Sequence, residues 1–149
     1  MAEKKTVLFV DDDEEILRSL ERGLLDESYD KLFATSGKEA LEILKRKDVH
    51  VIVTDMLMPE MTGLELLRIV RKKYPNITGM VLTGYEPGAE LQTAVEQGEI
   101  FKLIPKPLWK LGGKFERLVR RALVRSDLQN ENELSGGRKL KQRKVKLRE

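Results

Sequence analysis

Six side chains in this 149-residue chain could do chemistry together: Asp11, Asp12 and Asp13 in a run, then Asp55, Thr83 and Lys106, each at or just past the end of an apolar stretch. Carboxylates brought within a few ångströms of one another cannot all ionise comfortably, because like charges raise each other's pKa unless a cation compensates. Cysteine is absent and histidine occurs once, at His50, so any ligand set is all oxygen. Such a set favours a hard ion, Mg²⁺ first, with Mn²⁺ or Ca²⁺ as substitutes. Lys106 stands between Pro105 and Pro107, which predicts a rigid, extended backbone that aims its ammonium at the carboxylates. Thr83 adds a hydroxyl. A metal, an ammonium and a hydroxyl around one carboxylate are what an incoming phosphoryl group requires, since its transfer is mostly positioning and neutralisation of oxygen charge. Asp55 is then the nucleophile, holding the group as an acyl phosphate.

These residues need a scaffold that gathers them, and the hydrophobic pattern supplies one. Val7-Leu8-Phe9-Val10 reads as a buried strand that stops at the acidic run,. Ile16, Leu17, Leu20 and Leu24 follow at helical spacing, predicting a helix through about residue 26,. Residues 31–34 form a second strand, and Ser36-Gly37-Lys38-Glu39 reads as a capping box that opens a second helix,. Residues 49–53 are a β-branched third strand leading to Asp55,. A second box, Thr62-Gly63-Leu64-Glu65, opens a helix that ends before Pro75,. Residues 80–83 and 100–104 are the last two strands, separated by a short helix stopped at Gly98,. Phe115, Leu118, Val119, Ala122 and Leu123 mark the fifth helix,. Strictly alternating elements mean an α/β fold: a doubly wound, five-stranded parallel sheet with helices on both faces and function at the carboxyl ends of its strands.

Composition bounds the rest. With 40% hydrophobic and 36% charged residues, the chain has material for one core and a heavily charged exterior. No apolar run approaches the length of a membrane span and the amino-terminal residues lack a secretory pattern, so the cytoplasm is the expected address,. Residues 138–148 hold seven Lys/Arg: removing those and Glu149 from 28 basic and 25 acidic residues leaves residues 1–137 at net −3. Ser135-Gly136-Gly137 reads as a hinge before this basic tail,. The expected organisation is a domain over 1–125 and a flexible linker or basic tail over 126–149, too short for a core of its own.

Val10-Asp11-Asp12, Asp55-Met56-Leu57-Met58-Pro59 with Gly63, Leu82-Thr83-Gly84 and Lys106-Pro107, in that order, resemble the receiver domain of two-component response regulators, of the chemotaxis-receiver type, over about residues 5–125. The resemblance implies a flavodoxin-like sheet of strand order 2-1-3-4-5. It implies a phosphoacceptor at Asp55, and Mg²⁺ held by Asp11, Asp12, Asp55 and the Leu57 backbone carbonyl. Thr83 would be the switch hydroxyl and Lys106 the phosphoryl contact. A phosphohistidine on a sensor histidine kinase or phosphotransfer protein would be the donor. The chain would then be a signalling switch rather than an enzyme, reacting with small phosphodonors, losing its phosphate slowly and regulating an output whose effector domain is absent or truncated here. Homodimerisation is expected through the face made by helix 4, strand 5 and helix 5. One departure stands out: where many receivers carry Tyr or Phe three residues before the lysine, this chain has Leu103, with Phe101 two residues further back.

Simpler readings compete at several positions. Asp13, Glu14 and Glu15 suit the positive end of a helix, Met56, Met58 and Met61 suit packing, His50 suits a structural place in its strand, and Trp109 suits either a core rim or a partner surface. Leu57 and Tyr85 are expected to flank the phosphoryl group and hinder hydrolytic water. Two rival functions remain. One is an aspartate-nucleophile phosphohydrolase of the haloacid dehalogenase type acting through Asp11; Asp-x-Asp is present, but Glu15 stands where that family wants Thr or Val. The other is an interaction module whose basic tail contacts nucleic acid electrostatically.

Overall fold

A computed structural model describes residues 4–84 and 88–142, with Trp109 and residues 130–142 in backbone only. The chain runs β1 (Thr6–Val10), α1 (Glu14–Gly23), β2 (Asp30–Ala34), α2 (Gly37–Leu44), β3 (Val51–Asp55), α3 (Gly63–Lys73), β4 (Thr78–Thr83), α4 (Ala89–Glu96), β5 (Lys102–Pro105), a 3-10 turn (Leu108–Leu111) and α5 (Lys114–Gln142). All strand pairings are parallel and the order is β2-β1-β3-β4-β5. This is the expected doubly wound sheet. The chain reverses its direction of winding beside β1, so the carboxyl ends of β1 and β3 border the crevice where such folds place ligands.

Side-chain alternation divides the core into two layers, as the period of two along each strand demands. Leu8, Val10, Ile52 and Val81 face Leu64, Leu67, Val70, Leu91 and Ala94 of α3 and α4. Val7, Phe9, Val51, Val53, Met80 and Leu82 face Leu17, Leu20, Phe115, Val119 and Ala122 of α1 and α5. Both faces are covered, which is why the strands are apolar throughout instead of alternating with polar residues.

Three local expectations need correction. The third strand begins at Val51, not Val49, and ends on Asp55, so the acid belongs to the strand itself. His50 sits at the strand's entrance, where its Nδ1 accepts from Thr6 N at 3.1 Å and its carbonyl accepts from Thr78 N at 3.1 Å. The fifth strand likewise starts at Lys102, and Phe101 lies in the bend before it, clasped by the Arg125 guanidinium 5.2 Å from its ring centre. Finally, the first helix stops at Gly23, short of residue 26.

The caps are partly as expected. Thr62 and Glu65 form a full reciprocal box, Glu65 N to Thr62 Oγ1 at 3.1 Å and Thr62 N to Glu65 Oε1 at 2.9 Å. At the second helix, Ser36 Oγ accepts from Glu39 N at 3.0 Å, but the Glu39 carboxylate reaches one residue further back, to Thr35 N at 2.7 Å and Thr35 Oγ1 at 2.9 Å. The extra hydroxyl donor at Thr35 draws it there.

The largest difference is α5, which continues as one helix through residues 126–142 and through the expected hinge at Ser135-Gly136-Gly137. Contacts to the amino-terminal edge of the sheet explain the first part of the extension. Ser126 is fully buried, Thr78 Oγ1 donates to Gln129 Oε1 at 3.0 Å, and Lys5 pairs with Asp127. Residues 127–134 then contain Leu, Gln and Glu and no Gly or Pro, which lets the helix propagate,. The basic side chains from Arg138 onward, and Tyr85, lie outside the described residues. Among the described residues no helix is long and apolar enough to cross a membrane.

Candidate functional site

At the carboxyl end of the sheet, β1 delivers Asp11 and Asp12, β3 ends on Asp55, β4 on Thr83, and Lys106 directly follows β5. Asp11, Asp12, Asp55 and Lys106 converge. One carboxylate oxygen each from Asp11, Asp12 and Asp55 lies within 4.8 Å of the others. Lys106 Nζ donates to Asp55 Oδ1 at 2.5 Å and stands 3.7 Å from Asp11 Oδ2. Thr83 ends the neighbouring strand in register with Pro105, and its carbonyl accepts from Lys106 N at 2.9 Å, tying the lysine's backbone to the hydroxyl-bearing residue. The Lys106–Pro107 peptide bond is cis.

Burial shapes the electrostatics. Asp11 is 1% exposed and Asp55 7%. Asp11 Oδ1 accepts from Asp13 N at 2.9 Å, but its Oδ2 is buried without a hydrogen-bond partner. Burial, foremost, pushes the Asp11 carboxyl up to about 6; the charge of Asp55 adds to the rise, while the Asp13 N–H and Lys106 oppose it,. Burial alone would pull the Lys106 ammonium down, yet the hydrogen bond and charge of Asp55, with help from Asp11, raise it above its ordinary value. The lysine is therefore charged and half-buried.

The donor set fits a hard divalent cation. Every group is an oxygen, one buried lone pair is unmet, and the spacing approaches the roughly 4 Å that separates opposite oxygens around Mg²⁺. Asp13 does not join the cluster: its carboxylate accepts from Glu15 N at 2.9 Å and caps α1, the simpler reading of that residue. The pairing of Asp11 with Asp13 that an Asp-x-Asp hydrolase would need is thereby diverted. Leu57 projects outward from the following loop, 62% exposed.

Two further residues shape the loop after Asp55: Gly63, quoted from the sequence only as part of a motif, and Thr54, which sequence reasoning passed over. Gly63 is the point of closest approach: a Cβ there would sit 2.3 Å from the Asp55 carbonyl oxygen, so only glycine fits. Its N–H donates to Met56 O at 2.8 Å. Thr54 is fully buried and its hydroxyl donates to Asp55 O at 2.9 Å. The available signal was a lone hydroxyl between Val53 and Asp55 in an otherwise apolar strand.

Comparison with known proteins agrees with this geometry. Residues 7–111 match the response regulator receiver domain family. The hydrogenase transcriptional regulatory protein HoxA of Cupriavidus necator is 36% identical over 107 residues, which are 72% of this chain and 22% of that protein. The chain thus spans about a quarter or less of the curated relatives it matches first. Among solved structures, an adenylate cyclase from Rhodopirellula baltica superposes with a TM-score of 0.81 at 30% identity, covering 88% of this chain and 96% of that one. The signal receiver domain of an HD domain-containing protein from Pseudomonas fluorescens Pf-5 gives 0.75 at 30% identity, covering 84% and 98%.

Proposed function

The chain belongs to the response regulator receiver family, and from that premise we propose that Asp55 accepts a phosphoryl group and that the resulting charge switches the domain's surface. The observation that carries the reading is the Lys106 ammonium bonded to Asp55 at 2.5 Å beside two further carboxylates. Asp11, Asp12, Asp55 and the Leu57 carbonyl would hold Mg²⁺, with Mn²⁺ or Ca²⁺ as substitutes. When bound, the ion supplies neutralisation of the charge on the transferring oxygens.

The donor is a phosphohistidine of a sensor histidine kinase or phosphotransfer protein, or a small phosphodonor such as acetyl phosphate. An Asp55 oxygen attacks phosphorus in line with the leaving group; the new O–P bond forms as the P–N bond breaks, and the imidazole, its other ring nitrogen carrying a proton, departs neutral with the bonding electron pair. Lys106 passes its hydrogen bond from the carboxylate to a phosphoryl oxygen, so the ammonium is never unpaired. Asp11 keeps its orientation through the Asp13 N–H. The Thr83 hydroxyl then turns to the phosphoryl group and draws the loop after β4 with it, an order change biased by new contacts. Leu103 in the place of an aromatic leaves that loop, rather than a swinging ring, as the readout.

The output side is also a proposal: homodimerisation through α4, β5 and α5, and regulation of an effector in the manner of the transcriptional regulators among its relatives. Incubation with acetyl phosphate and Mg²⁺ tests the core of it. One phosphoryl mass, absent from Asp55→Asn, is expected; multiple turnover through Asp11 would instead point to a hydrolase.

A further inference from the structure

We infer that Thr54 is a positioning residue whose buried hydroxyl sets the plane of the peptide after Asp55, and through it the segment that presents Leu57 to the metal. The inference rests on the phosphoacceptor reading above and deepens it.

Thr54 lies on the face of β3 that packs toward α3, with no exposed surface. For such a place valine would be the expected residue: it has the same shape, an equal or better preference for a strand, and no hydroxyl to desolvate. The hydroxyl is used locally, donating to the Asp55 carbonyl at 2.9 Å. The methyl of the same side chain, Cγ2, lies 3.1 Å from where a Gly63 Cβ would be, and the Asp55 oxygen lies 2.3 Å from that point. Thr54 thus braces the loop at its neck from two sides.

The bracing continues along the chain. Met56 N donates to Leu82 O at 3.1 Å, and Met56 O accepts from Gly63 N at 2.8 Å. Together with the Thr54 bond, these fix both peptide planes that precede Leu57. Losing the hydroxyl leaves the first of them anchored through Met56 N alone, so its carbonyl end is less firmly held while β3 and its packing stay in place. The effect on the site should therefore be one of metal affinity, since groups that orient a ligand act through it.

The test compares Thr54→Val and Thr54→Ser in the full chain by calorimetric Mg²⁺ titration, acetyl phosphate labelling across Mg²⁺ concentrations, and thermal unfolding without metal. Thr54→Val is expected to weaken Mg²⁺ binding about tenfold, to regain the wild-type labelling rate at saturating Mg²⁺, and to unfold no earlier than wild type. Thr54→Ser should restore affinity. Unchanged affinity in Thr54→Val, failure of serine to rescue, or a loss that tracks lowered stability would overturn the inference. Because Mg²⁺ binding is read without phosphoryl transfer, a wild-type chain that binds Mg²⁺ but is never labelled at Asp55 refutes the underlying reading separately.

Discussion

Lys106 reaches across from the end of β5 to donate to Asp55 at the end of β3, two strands away in the sheet, and comes within 3.7 Å of Asp11 as well. One ammonium therefore balances two buried carboxylates. Removing it with Lys106→Ala leaves those carboxylates facing one another, and the transferring phosphoryl loses its nearest fixed cation. Labelling of Asp55 by acetyl phosphate should slow about a hundredfold, while Mg²⁺ binding, proposed above to use the carboxylates, should persist. Parallel labelling time courses and metal titrations measure both.

Gly63→Ala would set a methyl 2.3 Å from the Asp55 carbonyl, a backbone atom that cannot turn aside. The loop must shift to admit it. We expect a loss of about 1–3 kcal/mol in urea unfolding together with slower labelling, since the displaced strand end carries the acceptor. A variant as stable and as reactive as wild type would show that the neck is loose.

Arg120 of α5 holds Glu27, in the turn before β2, by two hydrogen bonds of 3.0 and 2.8 Å. The hydrogen bond from Arg120, foremost, keeps the Glu27 carboxyl below its ordinary range. A carboxyl depressed in the folded state stabilises the fold above its unfolded pKa, and that contribution disappears as pH falls through the folded value. Glu27→Gln should therefore be less stable than wild type at neutral pH and equal to it in acid. Urea midpoints collected across that range decide the point.

Leu57 stands at the mouth of the site with its side chain largely in solvent. On the proposed reading, a bulky apolar group there would obstruct the path of hydrolytic water to the acyl phosphate without assisting it. Leu57→Asn, which substitutes a group able to hydrogen-bond that water, should shorten the phosphoprotein's lifetime several-fold. Loss of label after removal of the donor gives the rate; an unaltered lifetime would place the obstruction elsewhere.

The strand ends were legible because chemistry and periodicity coincide there. Val10, Val53 and Leu82 are apolar residues that the sheet needs, and a carboxylate or hydroxyl following them has no packing reason to exist. Thr54 was harder to read: its hydroxyl is a signal in an apolar strand, but strand propensity also admits a threonine, and only the Asp55 carbonyl beside it shows what the hydroxyl does. Gly63 could be quoted as a motif residue, but its cause is a contact between segments eight residues apart, which spacing alone does not display. The length of α5 was misread for a similar reason. Gly136 and Gly137 carry a local signal for a break, whereas the contacts of Ser126, Asp127 and Gln129 with the sheet edge are tertiary. Glu39 was assigned its partner one residue wrong because Ser36 and Thr35 both offer donors.

That uninterrupted α5 has a mechanical consequence. Among the described side chains, Gln129 is the last with a bond to the sheet, and the backbone runs on to Gln142, about 20 Å at 1.5 Å per residue. A tilt of roughly 10° where the rod rests on the sheet would swing its far end by about 3.5 Å. Any tilt of α5 on the sheet that accompanies the proposed switch would thus become a displacement nearly as large as the distance between neighbouring Cα atoms.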